Sequence, residues 1–351
     1  MTTVKSNKSK RDKPAILIVA ADIGHQNIKV KVGFGGDVKG KRVNLKSSLI
    51  TQKDNIDACE DNYFHLVGGR TSWSNRYWTN TGSDLDSFTT TSDKGKVENL
   101  LPLFLSAIWD EIMDGDLVYY CGSVHELSWV DEMFNAISGN HTIEHGGEIK
   151  HITIEVLRVA IEGAGAVAAH YLLKEKKPVQ GRSTVLDIGS GTSIVIAMEG
   201  LSIKQNTNPY ALPGGGIRQI VSNLCSNPDI KRELSLDQPV NYLKMQSAIL
   251  SDRILKSRFG EVDISPYLHN QVETWFAQST KRYKVAMDEH LRQADLLLAT
   301  GGGCLLPEVA SLLARDGWTI ADEPLWANVD GLYLIAQKLA QKLSQTRQEA
   351  A

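Results

Sequence analysis

Cysteine is scarce and scattered: Cys59, Cys121, Cys225 and Cys304 form no Cys-x-x-Cys pair and have no His-rich segment beside them. That pattern argues against a zinc site and points to free thiols in a reducing cytoplasm. Long hydrophobic runs are missing too, and no stretch approaches the roughly 20 apolar residues of a membrane span. Nor is there a charge excess. Lys and Arg total 38 against 41 Asp and Glu, a net charge of −3, which speaks against a general nucleic-acid-binding surface. Lys5, Lys8, Lys10, Arg11 and Lys13 precede an apolar AILIVAA, superficially like a secretory signal. The run is too short for one, and Asp22 follows with no small-residue cleavage pattern, so residues 1–13 read as a disordered basic tail.

What the chain does contain is a repeated device. Ser183 to Gly200 reads STVLDIGSGTSIVIAMEG: an apolar run ends on Asp187, a Gly-Ser-Gly-Thr turn follows, and a second apolar run starts at Ser193. β-Branched runs around a Gly-rich turn predict a strand–turn–strand hairpin. Asp187 then stands at a strand end beside backbone N–H groups. That pairs a carboxylate for a metal with amides for phosphate oxygens. Ile16 to Val32, ILIVAADIGHQNIKVKV, repeats the arrangement, with Asp22-Ile23-Gly24 on Asp187-Ile188-Gly189. A lone Asp-x-Gly is first of all turn chemistry. Two such hairpins predict two related half-molecules, each offering a phosphate loop to a shared cleft.

At 351 residues the chain is long enough for two domains, and 42% hydrophobic with 23% charged residues is ordinary globular composition. Strands are predicted at 15–21, 27–34, 43–50, 117–121, 152–159, 201–206 and 294–300, besides the 183–199 hairpin. Helices are predicted at 97–113, 126–137, from Glu162 through a small-residue stretch, from Leu212 to about Cys225, and at 238–258, 266–292 and 305–314. Ala327-Asn328-Val329 caps a final helix. The polar 51–95 stretch, with Tyr63, Phe64, Trp73, Tyr77 and Trp78, reads as inserted and its aromatics as a small local core. The charged run ending at Pro178 marks a domain boundary. The expected order is a first domain at 14–178 with an insertion at about 36–96, then a second at 179–351 with an insertion at about 227–293. The C-terminal helix, 328–345, is expected to pack back on the first domain.

Three further features bear on chemistry. Gly301, Gly302 and Gly303 lie between a buried strand and a helix, where glycines let a flat ligand approach backbone and helix N-terminus; a plain turn needs one. Gly214 to Gly216, with Gly215 at the centre, makes the same argument behind Pro213. Lys29, on the return strand after Asp22, can reach back to a phosphate or can simply sit on a polar strand face. Glu162 follows an apolar strand, either as a helix-dipole partner or, facing the Asp loops, as the group that orients or deprotonates a water.

In sequence order, Asp22-Ile-Gly-His-Gln-Asn-Ile-Lys29 resembles the first phosphate motif of the actin/sugar-kinase/heat-shock-chaperone ATPase superfamily. Ile161-Glu162-Gly163-Ala164 is similar to its first connecting helix, Asp187-Ile-Gly-Ser-Gly-Thr192 to its second phosphate motif, and the strand into Gly301-Gly302-Gly303 to its adenosine motif. Within it, Asn27-Ile28-Lys29, the chain length and Ala327-Asn328-Val329-Asp330-Gly331-Leu332 resemble the ParM/StbA-type bacterial actins, which segregate plasmids. The resemblance implies an α/β actin-like ATPase fold: two RNase-H-like domains around a nucleotide cleft holding ATP, with GTP an alternative, and Mg²⁺. Asp22 and Asp187 would hold the metal through its waters. Gly24, His25, Asn27, Lys29, Gly189, Ser190, Gly191 and Thr192 would surround the phosphates. Gly215 and Gly301 to Gly303 would lie against the nucleotide, and Glu162 would position the attacking water.

The resemblance further implies a cytoplasmic protein that self-associates into ATP-dependent filaments, weakened by hydrolysis, and that moves DNA through a separate DNA-binding adaptor rather than by direct nucleic-acid contact. The competing readings are a sugar or carboxylate kinase on the same fold, a cell-shape actin of the MreB type, and a non-filamentous switch. The last is disfavoured because no substrate domain follows the ATPase core.

Overall fold

A computed structural model describes residues 11, 13–24, 26–37, 39–53, 64–67, 71–74, 88–89, 97–205, 207–213 and 215–349. His25, Cys59, Tyr63, Tyr77, Trp78 and most of the basic N-terminal stretch lie outside them. The chain divides into two compact units, residues 1–178 with 326–351, and residues 179–325.

The first unit is built on a ten-stranded sheet. β1 (Ile16–Ile23), β2 (Asn27–Phe34) and β3 (Lys41–Lys46) form an antiparallel meander. β4 (Ser48–Lys53), β5 (Phe64–Leu66), β6 (Thr71–Ser74) and β7 (Phe88–Thr89) come from the polar insertion. α1 (Leu100–Ile108) leads to β8 (Leu117–Val124), and α2 (Val130–Ile137) to a hairpin of β9 (Gly139–His145) and β10 (Glu148–Ile161). The sheet order is β3-β2-β1-β8-β10-β9-β5-β6-β4-β7. β1 and β8 pair in parallel, as do β8 and β10. β1 and β8 are buried along nearly their whole length, which is why both read as continuous apolar runs rather than alternating ones.

The insertion prolongs this sheet instead of standing apart from it. Phe64 stacks on His145 at 3.9 Å and lies 5.9 Å from Trp73, whose indole N–H donates to Ser106 Oγ at 2.8 Å. These two aromatics are core residues. The strand expected at 152–159 lies within β10, but β9 and the start of β10, which are largely polar, were not legible in sequence. Lys150 turns inward there and donates to the carbonyls of Trp109 and Ile112 at 3.0 Å. Arg11 is docked, its guanidinium donating to both oxygens of buried Asp116 at 3.1 and 2.8 Å.

After β10 a turn at Gly163, with φ of 88°, starts α3 (Ala164–Ala169), continued by a π-helical segment at His170–Glu175. Glu162 therefore does not begin a helix. Its N–H prolongs the parallel ladder, donating to the Val124 carbonyl at 2.7 Å.

The second unit repeats the same strand logic in a smaller sheet. β11 (Arg182–Ile188), β12 (Thr192–Glu199), β13 (Ser202–Ile203) and β14 (Tyr210–Pro213) are antiparallel neighbours. Helices α4 (Ile217–Cys225), α5 (Pro228–Glu233) and α6 (Tyr242–Leu250) follow. The helix expected at 238–258 ends at Leu250, and a small hairpin takes its place: β15 (Ile254–Ser257) and β16 (Gly260–Asp263). Arg253, with φ of 66°, makes the break. α7 (Ser265–Gln293) is one long helix, and β17 (Leu296–Thr300), α8 (Pro307–Arg315) and β18 (Thr319–Ile320) complete the unit. The order is β13-β12-β11-β17-β18, with β11, β17 and β18 parallel. This matches β3-β2-β1-β8-β10 strand for strand, so each unit carries the same five-strand core.

The last helix, α9 (Ala327–Glu349), belongs to the first unit. Buried Asp330 accepts from Lys31 Nζ at 3.0 Å and from Arg42 Nε at 3.2 Å, tying α9 to β2 and β3. Gly331 meets α3 backbone to backbone: a Cβ there would overlap the Gly165 carbonyl, and a Cβ on Gly165 would overlap that of Asn328. Among the described residues no helix is long and apolar enough to cross a membrane.

Two stability outcomes follow from this anchoring. Gly331→Ala should cost about 1–3 kcal/mol, because the obstacle is main chain that cannot rotate away; urea titration measures it. Asp330→Ala removes the buried carboxylate that Lys31 and Arg42 share, and because Arg42 is one-third exposed the loss should fall toward the lower end of roughly 3–5 kcal/mol in the same titration.

Candidate functional site

The sequence-predicted residues fall into two sets, one at the carboxyl edge of each unit's sheet. In the first unit β1, β8 and β10 run parallel and end together, bringing Asp22, Ser123 and Glu162 to one edge. The β1–β2 turn is closed by Gly24 N–H donating to the Asn27 carbonyl at 3.0 Å, and Lys29 stands directly opposite Asp22 in the ladder. The Lys29 ammonium makes an ion pair with Asp22 Oδ2. Asp22 is 6% and Glu162 8% exposed. Carboxylates this deep require partners, because desolvation penalises an isolated charge.

Asp22 has one more partner that sequence reasoning did not assign. Asn328, from α9, donates through Nδ2 to Asp22 Oδ1 at 3.3 Å and to Ser123 Oγ at 3.0 Å. It is therefore no cap: it lies within the first turn of α9, its amide turned to the sheet edge. The sequence signal available was a helix start, Ala327-Asn328-Val329-Asp330, with two polar residues among apolar ones. Its target, 306 positions away, was not legible. Beside the edge, burial raises the Tyr120 hydroxyl far above its ordinary range, with smaller contributions from Cys121 and the Asp22 charge. Burial pushes the Cys121 thiol up to about 12, so it stays a protonated, unreactive core group.

In the second unit the same turn recurs. Gly189 N–H donates to the Thr192 carbonyl at 2.9 Å, the counterpart of Gly24 and Asn27. The residue opposite Asp187 is Ile194, so this copy has no lysine at the Lys29 position. The turn is docked on the start of α4: Ile217 N–H donates to the Gly189 carbonyl at 3.1 Å and Arg218 N–H to that of Ser190 at 2.8 Å. Ser193 Oγ donates to the Gly215 carbonyl at 2.5 Å. Among the described residues no backbone carbonyl accepts from Ser190 or Gly191 N–H. Asp187 pairs in register with Thr300, the last residue of β17, so the Gly301–Gly303 segment leaves the sheet beside it.

The three glycines have different reasons. Gly301 has φ of 90°, and a Cβ there would meet the Asp187 carboxylate and the Ile188 carbonyl. A Cβ on Gly303 would strike the Ile188 side chain. Packing within the unit thus demands glycine at both positions. At Gly302 a Cβ would touch only Leu325, at 3.5 Å, so this position alone is glycine without an internal obstacle. Burial, and then the Asp187 charge, raise the Cys304 thiol well above its usual range. Gly24, Asn27, Lys29, Asp22 and Glu162 are thus gathered in one unit. Gly189, Ser190, Gly191, Thr192, Asp187, Gly215 and Gly301 to Gly303 are gathered in the other.

No family model matches the sequence, and no curated protein does. Solved structures do resemble the fold. The crystal structure of an archaeal actin homolog, Ta0583, superposes with a TM-score of 0.73 at 18% identity, covering 92% of this chain and 99% of that one; the same homolog has a structure in complex with ADP. Bacillus thuringiensis ParM with ATP gives 0.65 at 16% identity over 93% and 99%. ParM in a 15-stranded filament from Clostridium botulinum gives 0.65 at 15% over 92% and 99%. At these identities the likeness is one of fold: the chain adopts the actin-like two-domain fold that it shares with the archaeal actin homolog and ParM.

Proposed function

We propose that this chain is an actin-like ATPase. It assembles into filaments in its ATP-bound form, hydrolyses ATP to turn them over, and works in the cytoplasm to segregate plasmid or other DNA through a DNA-binding adaptor. The observation that carries the reading is the duplicated Asp-Ile-Gly turn. It is closed by the same hydrogen bond in both units and set at the carboxyl end of the same strand of the same five-strand core. Chance turn chemistry accounts for one such turn and not for two in equivalent places. ATP or ADP in the similar structures, and the filament among them, support the same reading.

The residues fit a magnesium nucleotide. Carboxylate oxygens are the donor type that suits Mg²⁺, an ion that keeps most of its waters and takes one or two carboxylates. Asp22 and Asp187 are the proposed carboxylates. When bound, the ion neutralises phosphate charge. Lys29 is proposed to exchange its Asp22 contact for a phosphate oxygen, and the Ser190 and Gly191 amides to donate to others. Glu162, held by the parallel ladder, is proposed to orient the attacking water. Placement and charge neutralisation supply most of the acceleration in phosphoryl transfer.

Two experiments test the proposal. Light scattering and sedimentation should show polymer with Mg²⁺-ATP and little with ADP; ATP turnover that needs a sugar or carboxylate acceptor and yields no polymer would overturn it in favour of a kinase. Glu162→Ala should still assemble but release phosphate roughly 10²-fold more slowly. Polymer of that variant disappearing at the wild-type rate would remove Glu162 from the role.

A further inference from the structure

Asn328 is 3% exposed and its carbonyl, Oδ1, is buried without a hydrogen-bond partner. An amide in that state costs free energy unless its other end does something worth the loss. Its Nδ2 end does: it donates to Asp22 Oδ1 at 3.3 Å and to Ser123 Oγ at 3.0 Å. Chemistry fixes the amide's orientation, because turning it over would place Oδ1 against the Asp22 carboxylate. The helix that carries Asn328 is itself immobilised two residues on by Asp330 on Lys31 and Arg42, and three residues on by Gly331 on Gly165.

The opposite oxygen of Asp22, Oδ2, faces the Lys29 ammonium. The two ends of the carboxylate are thereby divided: Oδ1 to a fixed neutral donor, Oδ2 to a cation. We infer that Asn328 is a positioning residue for Asp22, holding the carboxylate so that Oδ2 is presented to the hydrated Mg²⁺ of the nucleotide. The inference deepens the ATPase reading and rests on it. A neutral amide suits the task better than a second cation, because it orients the carboxylate without cancelling its charge. Groups that orient a metal-binding carboxylate typically govern metal affinity by one to two orders of magnitude.

The test uses the full-length chain and a fluorescent ATP analogue, reading the Mg²⁺ concentration for half-maximal binding separately from analogue affinity in EDTA. Asn328→Leu keeps the branching and removes the donor. It should raise the Mg²⁺ half-point about tenfold while leaving metal-free affinity within twofold. Ser123→Ala is small enough to fold whatever the leucine does. Its loss of one amide anchor should raise the half-point about threefold. A merely structural role for Asn328 would weaken both affinities together, and that result, or unchanged half-points in both variants, overturns the assignment. If the wild-type chain binds the analogue with no Mg²⁺ dependence, the ATPase reading and this inference fall together; if it shows the dependence and the variants match it, only the positioning role falls.

Discussion

Burying a carboxylate at the end of an apolar strand is the constraint from which much of the first unit follows. Asp22 closes a run in which nearly every side chain is out of water, so its charge must be met from within the protein. It is met by Lys29 across the hairpin and by Asn328 from the far end of the chain. The second of these explains why α9 packs where it does. Asn328 and Asp330, two positions apart and so on different sides of α9, reach Asp22 and the Lys31–Arg42 pair respectively. Glycine at 165 and 331 then allows the backbones to touch.

The two units use one scaffold for different local chemistry. Both place an acidic residue at the end of the central strand and close the next turn through a glycine amide. In the first unit the acid is deeply buried and has a lysine opposite. In the second it is partly exposed, opposite an isoleucine, and flanked by a glycine whose φ of 90° keeps the chain off its carboxylate. The same strand order thus carries two different local environments, one around Asp22 and one around Asp187.

Periodicity made much of the fold legible. The apolar runs of β1, β8, β11 and β17, and the long α7, stand close to where the sequence puts them, because a fully buried strand and an amphipathic helix leave unambiguous patterns. β9 and the first residues of β10 were not legible, although 152–159 was, because their alternation is broken by charged residues and one of them, Lys150, turns inward to cap carbonyls. The 238–258 stretch misleads for a related reason: helical periodicity continues past Leu250, but Arg253 in a left-handed conformation breaks the chain into a hairpin.

The sequence by itself determined that two Asp-Ile-Gly turns exist and which residues flank them, because turn chemistry is local and a few adjacent residues suffice to specify it. It could not determine what each acid touches. That Asn328 reaches Asp22, that Gly301 and Gly303 are required by Ile188 and Asp187, and that Glu162 belongs to a strand ladder were decided only by tertiary structure. Those contacts join residues far apart in the chain, and no local pattern encodes a partner that packing alone brings near.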